Sequence, residues 1–96
     1  METFEDACHA LAQEIAALVC SKQHDYGPGN ILAFGEFGVL VRANDKFERM
    51  KNLQGKRPTN EAIDDTWMDI AGYALIALML RRDKFTLPLK GCVNVP

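Results

Sequence analysis

The fold is decided by the stretch NEAIDDTWMDIAGYALIALMLRR, which runs from Asn60 to Arg82. Thr59 or Asn60 is placed to cap a helix, acids fill the first turn, and two arginines suit the negative pole at the end. The stretch therefore predicts one long helix. Its apolar residues recur at steps of three and four, which predicts a buried face. That face comprises Ile63, Trp67, Ile70, Ala74 and Leu78.

Two further helices are predicted upstream. The first runs roughly from Thr3, its N-cap, to Lys22, and the second roughly from Ile31 to Leu53 after a Gly-Pro-Gly break. In the first helix, apolar residues at helical spacing predict a buried face made of Phe4, Cys8, Leu11, Ile15, Leu18 and Val19. Gly35 and Gly38 each cost about 1 kcal/mol inside a helix. They either permit close approach of a helix or ligand, or mark a break near Gly38.

These patterns predict a single all-α domain over residues 1–96, with three main helices in a small bundle. An extended C-terminal tail follows over residues 83–96, and we expect it to pack on this chain or on a partner. A chain of 96 residues buries a limited core. We therefore expect a homo-oligomer, a dimer or higher.

Composition limits the function. A net charge of −2, from 11 basic and 13 acidic residues, disfavours a protein that coats nucleic acid. It allows a small phosphorylated ligand, which needs only a few cations. The three cysteines form no close-set pair, so Cys8 and Cys20 are expected to be small core residues. With no signal peptide expected and an apolar run too short for a bilayer, we expect no membrane partner and a cytoplasmic location.

The acids of the long helix are the most informative feature. Glu61, Asp65 and Asp69 are spaced by four, and each step turns only ~40° around a helix. They therefore share one stripe. Asp69 lies just before an apolar run, where a carboxylate without a partner is costly. A positive group should face it.

The second helix offers groups of both signs, because Asp45 and Glu48 lie among Arg42, Lys46 and Arg49. If the second and third helices pair antiparallel, two outcomes are open. The cations neutralise the acids as salt bridges, or the carboxylates converge on Mg²⁺, which prefers oxygen ligands.

Polar and aromatic residues near the glycine break suggest a nucleotide contact, with Tyr73 bordering the acidic stripe. They are His24, Asp25, Tyr26 and Asn30. Rings offer a surface to a base, and Asp or Asn offers hydrogen bonds to its edge. The alternative is a simple helix-connecting turn. With no nucleophile constellation and no phosphate-binding glycine loop, metal-assisted attack by water is the reaction type that remains.

Three motifs lie within residues 22–80: Lys22-x-x-Asp25-Tyr26-Gly27, Arg42-x-x-Asp45-Lys46-x-x-Arg49 and Glu61-x-x-x-Asp65-Thr66-x-x-Asp69-Ile70-x-x-Tyr73-Ala74. With these motifs, residues 22–80 resemble a known family, the small phage-encoded nucleotide modification associated domain. That family is more distantly similar to the all-alpha nucleoside triphosphate pyrophosphohydrolases of the MazG and dimeric dUTPase type. The superfamily usually has E-x-x-E on its first metal helix, where this chain has D-x-x-E at Asp45 and Glu48.

The resemblance implies a magnesium site and a nucleotide site. Candidate metal ligands are Asp45, Glu48, Glu61, Asp65 and Asp69, of which Glu61 and Asp65 are the candidate catalytic residues. Candidate phosphate contacts are Arg42, Lys46 and Arg49, and candidate base or sugar contacts are His24, Asp25, Tyr26, Asn30 and Tyr73.

Three functions remain open at this point. The first is Mg²⁺-dependent hydrolysis of a (deoxy)nucleoside triphosphate in phage nucleotide metabolism, in the host cytoplasm. The second is a non-enzymatic sponge that sequesters a signalling nucleotide, for instance a cyclic one, as an anti-defence protein. The third is a structural or regulatory helical module that binds no nucleotide.

Overall fold

A computed structural model describes residues 1–57 and 63–91, which form four α-helices and, within those ranges, no strand. They are α1 (Phe4–Tyr26), α2 (Gly29–Leu32), α3 (Gly35–Asn52) and α4 (Ile63–Arg81). The predicted all-α class with three main helices is confirmed, and α2 adds one short turn. None of the helices described is long and apolar enough to cross a bilayer. Thr59 and Asn60, the predicted caps, lie outside the described residues, as do Glu61 and residues 92–96.

The first helix begins at the predicted cap. The Thr3 hydroxyl accepts a hydrogen bond from the Asp6 backbone N–H at 3.1 Å, and the Asp6 carboxylate accepts one from the Thr3 N–H at 3.1 Å. This reciprocal pair is a capping box. The helix continues to Tyr26 and ends at Gly27, whose φ of 69° ordinary residues rarely adopt. His24, Asp25 and Tyr26 therefore lie in the last turn of a helix, not in the predicted loop.

The helix predicted roughly over Ile31–Leu53 was expected to be either unbroken or broken near Gly38, and the chain is broken between α2 and α3. Gly35 has a φ of 63°, a left-handed conformation that glycine adopts without steric cost. The interruption therefore falls at Gly35, and Gly38 lies inside α3.

The core lies where α2, the start of α3 and the end of α4 meet. Ile31, Val39 and Phe85 are buried there and are covered by half-buried residues of α4. Phe85 belongs to the segment predicted as an extended tail. Instead of extending, residues 83–91 turn back on the bundle, and the Lys84 N–H donates to the Met79 carbonyl at 2.9 Å. Of the two predicted alternatives, this part of the tail packs on its own chain.

The predicted buried face of α1 is wrong. No residue of α1 is buried, Phe4 and Leu11 are 82% and 55% exposed, and Cys8 and Cys20 are exposed as well. The physical reason is that α1 packs mainly on α4 and only through its second half. Leu18 and Val19 are half-buried there, while the first turns lie beyond the bundle.

The predicted buried face of α4 is also wrong in part. Trp67 is 52% exposed and Leu78 is 47% exposed, whereas Thr66 and Gly72 are the buried residues of this helix. Successive residues differ by 100° around a helix, so Thr66 and Trp67 face different directions. α1 packs on α4 at Gly72, next to Val19, and α3 packs on α4 at Thr66, next to Arg49. Trp67 lies on neither contact and stays exposed within the described chain.

Gly72 sets the distance between α1 and α4, and this gives a first prediction. A Cβ at position 72 would lie 3.2 Å from Val19 Cγ2. Gly72→Val should therefore lower the free energy of unfolding by about 1–3 kcal/mol, the usual cost of overpacking. Denaturant unfolding of the single and double variants measures this. Adding Val19→Ala should restore part of this lost stability, because it removes the Val19 methyl group with which the new side chain clashes. If the two substitutions change the free energy of unfolding in a strictly additive way, the two side chains are not in direct contact.

Candidate functional site

A cleft of about 310 Å³ opens between the second half of α1, α2, α3 and α4. The turn at Gly27 directs the chain from the end of α1 into α2, so both elements border the same space. Its apolar wall includes Leu18, Val19 and Ile76. Its polar lining consists of Lys22, Gln23, Tyr26, Asn30, Arg42, Asp69 and Tyr73.

Asp69 is the acid of this cleft, and two lysines from different helices contact it. Lys22 Nζ of α1 lies 3.2 Å from Asp69 Oδ1, and Lys46 Nζ of α3 lies 3.0 Å from Asp69 Oδ2. The Asp69 side chain is only 14% exposed. The expectation that a cation faces Asp69 is therefore confirmed. In so sheltered a position the two ammonium groups offset the cost of removing the carboxylate from water.

Arg42 lines the same cleft from α3 and is half-buried. It forms no ion pair with any residue in the ranges 1–57 and 63–91. Lys22 and Arg42 thus line the cleft from two different helices. Two cations in one lining favour an anionic ligand.

Five of the predicted nucleotide contacts meet at or beside the cleft. Tyr26, Asn30, Arg42 and Tyr73 line it, and Lys46 reaches its acid. Tyr26 is 72% exposed and borders the open side. His24 and Asp25 are exposed and are not part of the lining. Arg49 lies one turn beyond Lys46, where its Nε donates to the Thr66 hydroxyl at 3.4 Å.

Four of the five predicted magnesium ligands lie among the described residues. Asp45, Glu48 and Asp65 are exposed, and Glu48 pairs with Lys51 at 3.1 Å, whereas Asp69 is sheltered by its two lysines. Among the described residues no group of three His, Cys, Asp or Glu side chains is placed to hold a metal ion. Glu61 lies outside those residues, so the magnesium site stays a prediction.

Sequence reasoning missed three residues of this region. Lys22 was noted only as part of a motif, although it lies four residues before Tyr26, on the same side of α1. Thr66 is fully buried and accepts the hydrogen bond from Arg49. Gly72, in the lining, brings α1 close to α4. The sequence indicated that a cation faces Asp69, but it did not identify Lys22 as that cation.

The fold and the site together define a small all-helical protein with a cationic, partly aromatic cleft between its helices. The chain belongs to the nucleotide modification associated domain 1 family, whose model matches residues 22–80. That range contains every polar residue of the cleft lining. Neither a curated protein nor a solved structure matches the chain significantly. The resemblance to the family is confirmed, and the more distant similarity to pyrophosphohydrolases stays a prediction.

The arrangement around Asp69 gives a second prediction. Asp69→Asn should lower the free energy of unfolding by about 1–2 kcal/mol, between the values for exposed and buried ion pairs, because two ammonium groups lose their counter-charge. Asp65→Asn, the same substitution four residues earlier at an exposed position, is the matched control and should cost less than about 0.5 kcal/mol. Urea unfolding measures both. Equal effects of the two substitutions would show that the paired lysines do not stabilise the helix assembly.

Proposed function

We propose that this protein binds a nucleotide in the cleft between α1, α2, α3 and α4. The observation that carries the proposal is the composition of the cleft: cations from two helices, two tyrosine rings and an apolar wall line about 310 Å³. Pockets for small ligands start at about 300 Å³, so one nucleotide is the ligand size that this volume favours. The family description, which refers to nucleotides, supports the same ligand class.

The phosphates would lie against Arg42 and Lys22. The planar guanidinium of Arg42 has no carboxylate partner among the described residues, so its donors are available to two phosphate oxygens at once. Lys22 is half-exposed and reaches the same space from α1. A phosphate between Arg42 and Lys22 would be bound by positive charges from both α3 and α1.

The base would lie against the tyrosines. Tyr26 and Tyr73 line the cleft together with aliphatic residues of α1 and α4. Flat rings beside apolar surface suit base stacking, which contributes about 1–3 kcal/mol per base where it has been measured. Asn30, from α2, offers both a donor and an acceptor to a base edge. None of these contacts requires a metal ion.

The contacts of Asp69 favour retention of the nucleotide over its cleavage. Each of its carboxylate oxygens contacts an ammonium group, and these lysines compete with any metal ion for the same oxygens. We therefore infer sequestration of an intact nucleotide as the first candidate function, the role of a sponge for a signalling nucleotide. Mg²⁺-dependent hydrolysis of a nucleoside triphosphate is the second candidate. The position of Asp65 favours this second candidate, because this predicted metal ligand lies one turn before Asp69 on α4.

Arg42→Gln gives the third prediction. Losing a charge-assisted hydrogen bond costs about 1.5–3 kcal/mol, so the dissociation constant for a nucleotide should rise about 10- to 100-fold. Arg82→Gln removes the same charge from an exposed position just after α4 and should leave the affinity unchanged. Isothermal titration calorimetry with mono-, di- and triphosphates and cyclic nucleotides measures both. A wild-type protein that binds none of them would contradict the proposal.

The same samples separate the two candidate functions. After titration with and without Mg²⁺, chromatography of the nucleotide should recover it intact if the protein sequesters its ligand. Conversion to a monophosphate and pyrophosphate would establish the hydrolase instead. In that case Asp65→Asn should abolish conversion while binding persists, because Asp65 is exposed and lies outside the cleft lining.

A further inference from the structure

A second concave surface lies between α3 and α4, on a different side of this helix pair from the cleft. It is a groove of about 500 Å³ whose floor contains the small residues Ala43, Ala74 and Ala77. Its walls include the bulky residues Phe37, Leu40 and Phe47. We call this surface the alanine groove. The cleft and the alanine groove have one lining residue in common, Tyr73.

Large apolar side chains around the alanine groove are exposed. Phe37, Leu40 and Phe47 are 73%, 61% and 43% exposed. Trp67 and Leu78 extend the same side of α4 and are 52% and 47% exposed. Given aromatic side-chain areas of roughly 150–250 Å², these five residues expose on the order of 500 Å² of apolar surface. One partner in a standard interface contributes about 800 Å², somewhat more than half of it apolar, so the patch has the size that a stable dimer needs.

Charge at the alanine groove is confined to one end. Glu36 is the charged residue of the lining, and Arg81 at the end of α4 donates to both of its carboxylate oxygens at 3.1 Å. Apart from Glu36 and the hydroxyl of Tyr73, the side chains that line the groove are apolar. Such a surface suits another apolar helix face and gives no electrostatic attraction to a nucleic acid or a charged ligand.

The single chain also has little core of its own. Within residues 1–57 and 63–91 only five residues are buried: Ile31, Val39, Thr66, Gly72 and Phe85. A small domain depends on burying most of its apolar surface, and much of that surface here lies around the alanine groove. Covering the groove would add buried apolar surface to the small core of the described residues.

We propose that a second copy of this chain covers the alanine groove, forming a twofold homodimer through α3 and α4. In a twofold interface the same patch meets itself, so it must carry both projections and recesses. The alanine groove has both, because Phe37 and Phe47 stand ten residues apart on α3 with Ala43 between them. A partner helix crossing near Ala43 would place its own phenylalanines beside the small residues, at the 8–10 Å spacing of packed helices. This proposal does not depend on nucleotide binding, since the cleft opens elsewhere.

Sedimentation analysis of matched leucine variants tests the proposal. The wild-type protein should sediment at twice the chain mass of 10.7 kDa. Leu40→Lys places a charge in the alanine groove at a position already 61% exposed in the single chain, so folding should persist, as checked by circular dichroism. Its dimer dissociation constant should rise about 100-fold or more, because the interface would bury an unpaired charge. Leu11→Lys, at a 55% exposed position on α1, is the control and should remain dimeric.

Trp67 supplies an independent readout, because it is the one tryptophan of the chain and stands beside the alanine groove. Its emission should shift to the red when wild-type protein is diluted below the dissociation constant, and should be red-shifted at all concentrations in Leu40→Lys. The wild-type protein should be measured at concentrations spaced 100-fold apart, the highest at its solubility limit. If it is a monomer at all of them, the proposal is overturned. A dimer that Leu11→Lys disrupts and Leu40→Lys leaves intact would overturn it as well, and would place the interface on α1.

Discussion

The carboxylate of Asp69 connects three helices. It lies on α4, at a depth where only 14% of its side chain reaches solvent, and it contacts Lys22 of α1 and Lys46 of α3. Each lysine extends from its own helix to the same acid, so the ion pairs fix both helices relative to α4. The space that remains between them is the cleft, and its shape depends on this contact together with the close approach of α1 at Gly72.

The two sides of the α3–α4 pair have different chemistry, which follows from the sequence of α4. This helix carries polar residues mainly in its first turns, and the rest of it is apolar almost all round. On one side α1 covers it and leaves a cationic cleft. On the other side the described chain provides no cover, and the alanine groove remains exposed. A helix that is apolar on every side is ordinarily buried on every side, which is the physical basis for expecting a partner there.

Local chemistry made much of the fold predictable from sequence. Thr3 is the N-cap of α1, as predicted, and the long helix ends at Arg81, one residue from its predicted end. The need of Asp69 for a cation was predictable because a sheltered carboxylate without a partner is costly. Gly35 was harder, because a glycine inside an apolar run is compatible with a helix or with a left-handed break. In the structure Gly35 adopts the left-handed conformation, and α2 packs against α3 across the break.

Which side of α1 and of α4 is buried could not be predicted in the same way. Periodicity shows that α1 and α4 each have apolar stripes, but it does not show which stripe meets a neighbour and which meets solvent. Trp67 and Leu78 form a regular stripe, yet α1 packs on α4 at Gly72 and α3 packs on it at Thr66. Gly72 permits the close approach of α1, and the Thr66 hydroxyl accepts a hydrogen bond from Arg49. Neither residue contributes to a hydrophobic pattern in the sequence. The cleft follows from that packing, so its membership, Lys22 included, needed the structure.

Nuclear magnetic resonance of the isotopically labelled protein during nucleotide titration tests the central claim, that the cleft between the helices is the ligand site. The account predicts that backbone amide signals of Gly27, Asn30 and Gly72, which line the cleft, shift progressively and saturably as a nucleotide is added. Signals of Phe37 and Leu40, which line the alanine groove and whose chain neighbours lie outside the cleft lining, should stay nearly unchanged. Saturable shifts confined to the alanine groove, or no saturable shift with any nucleotide, would contradict the account.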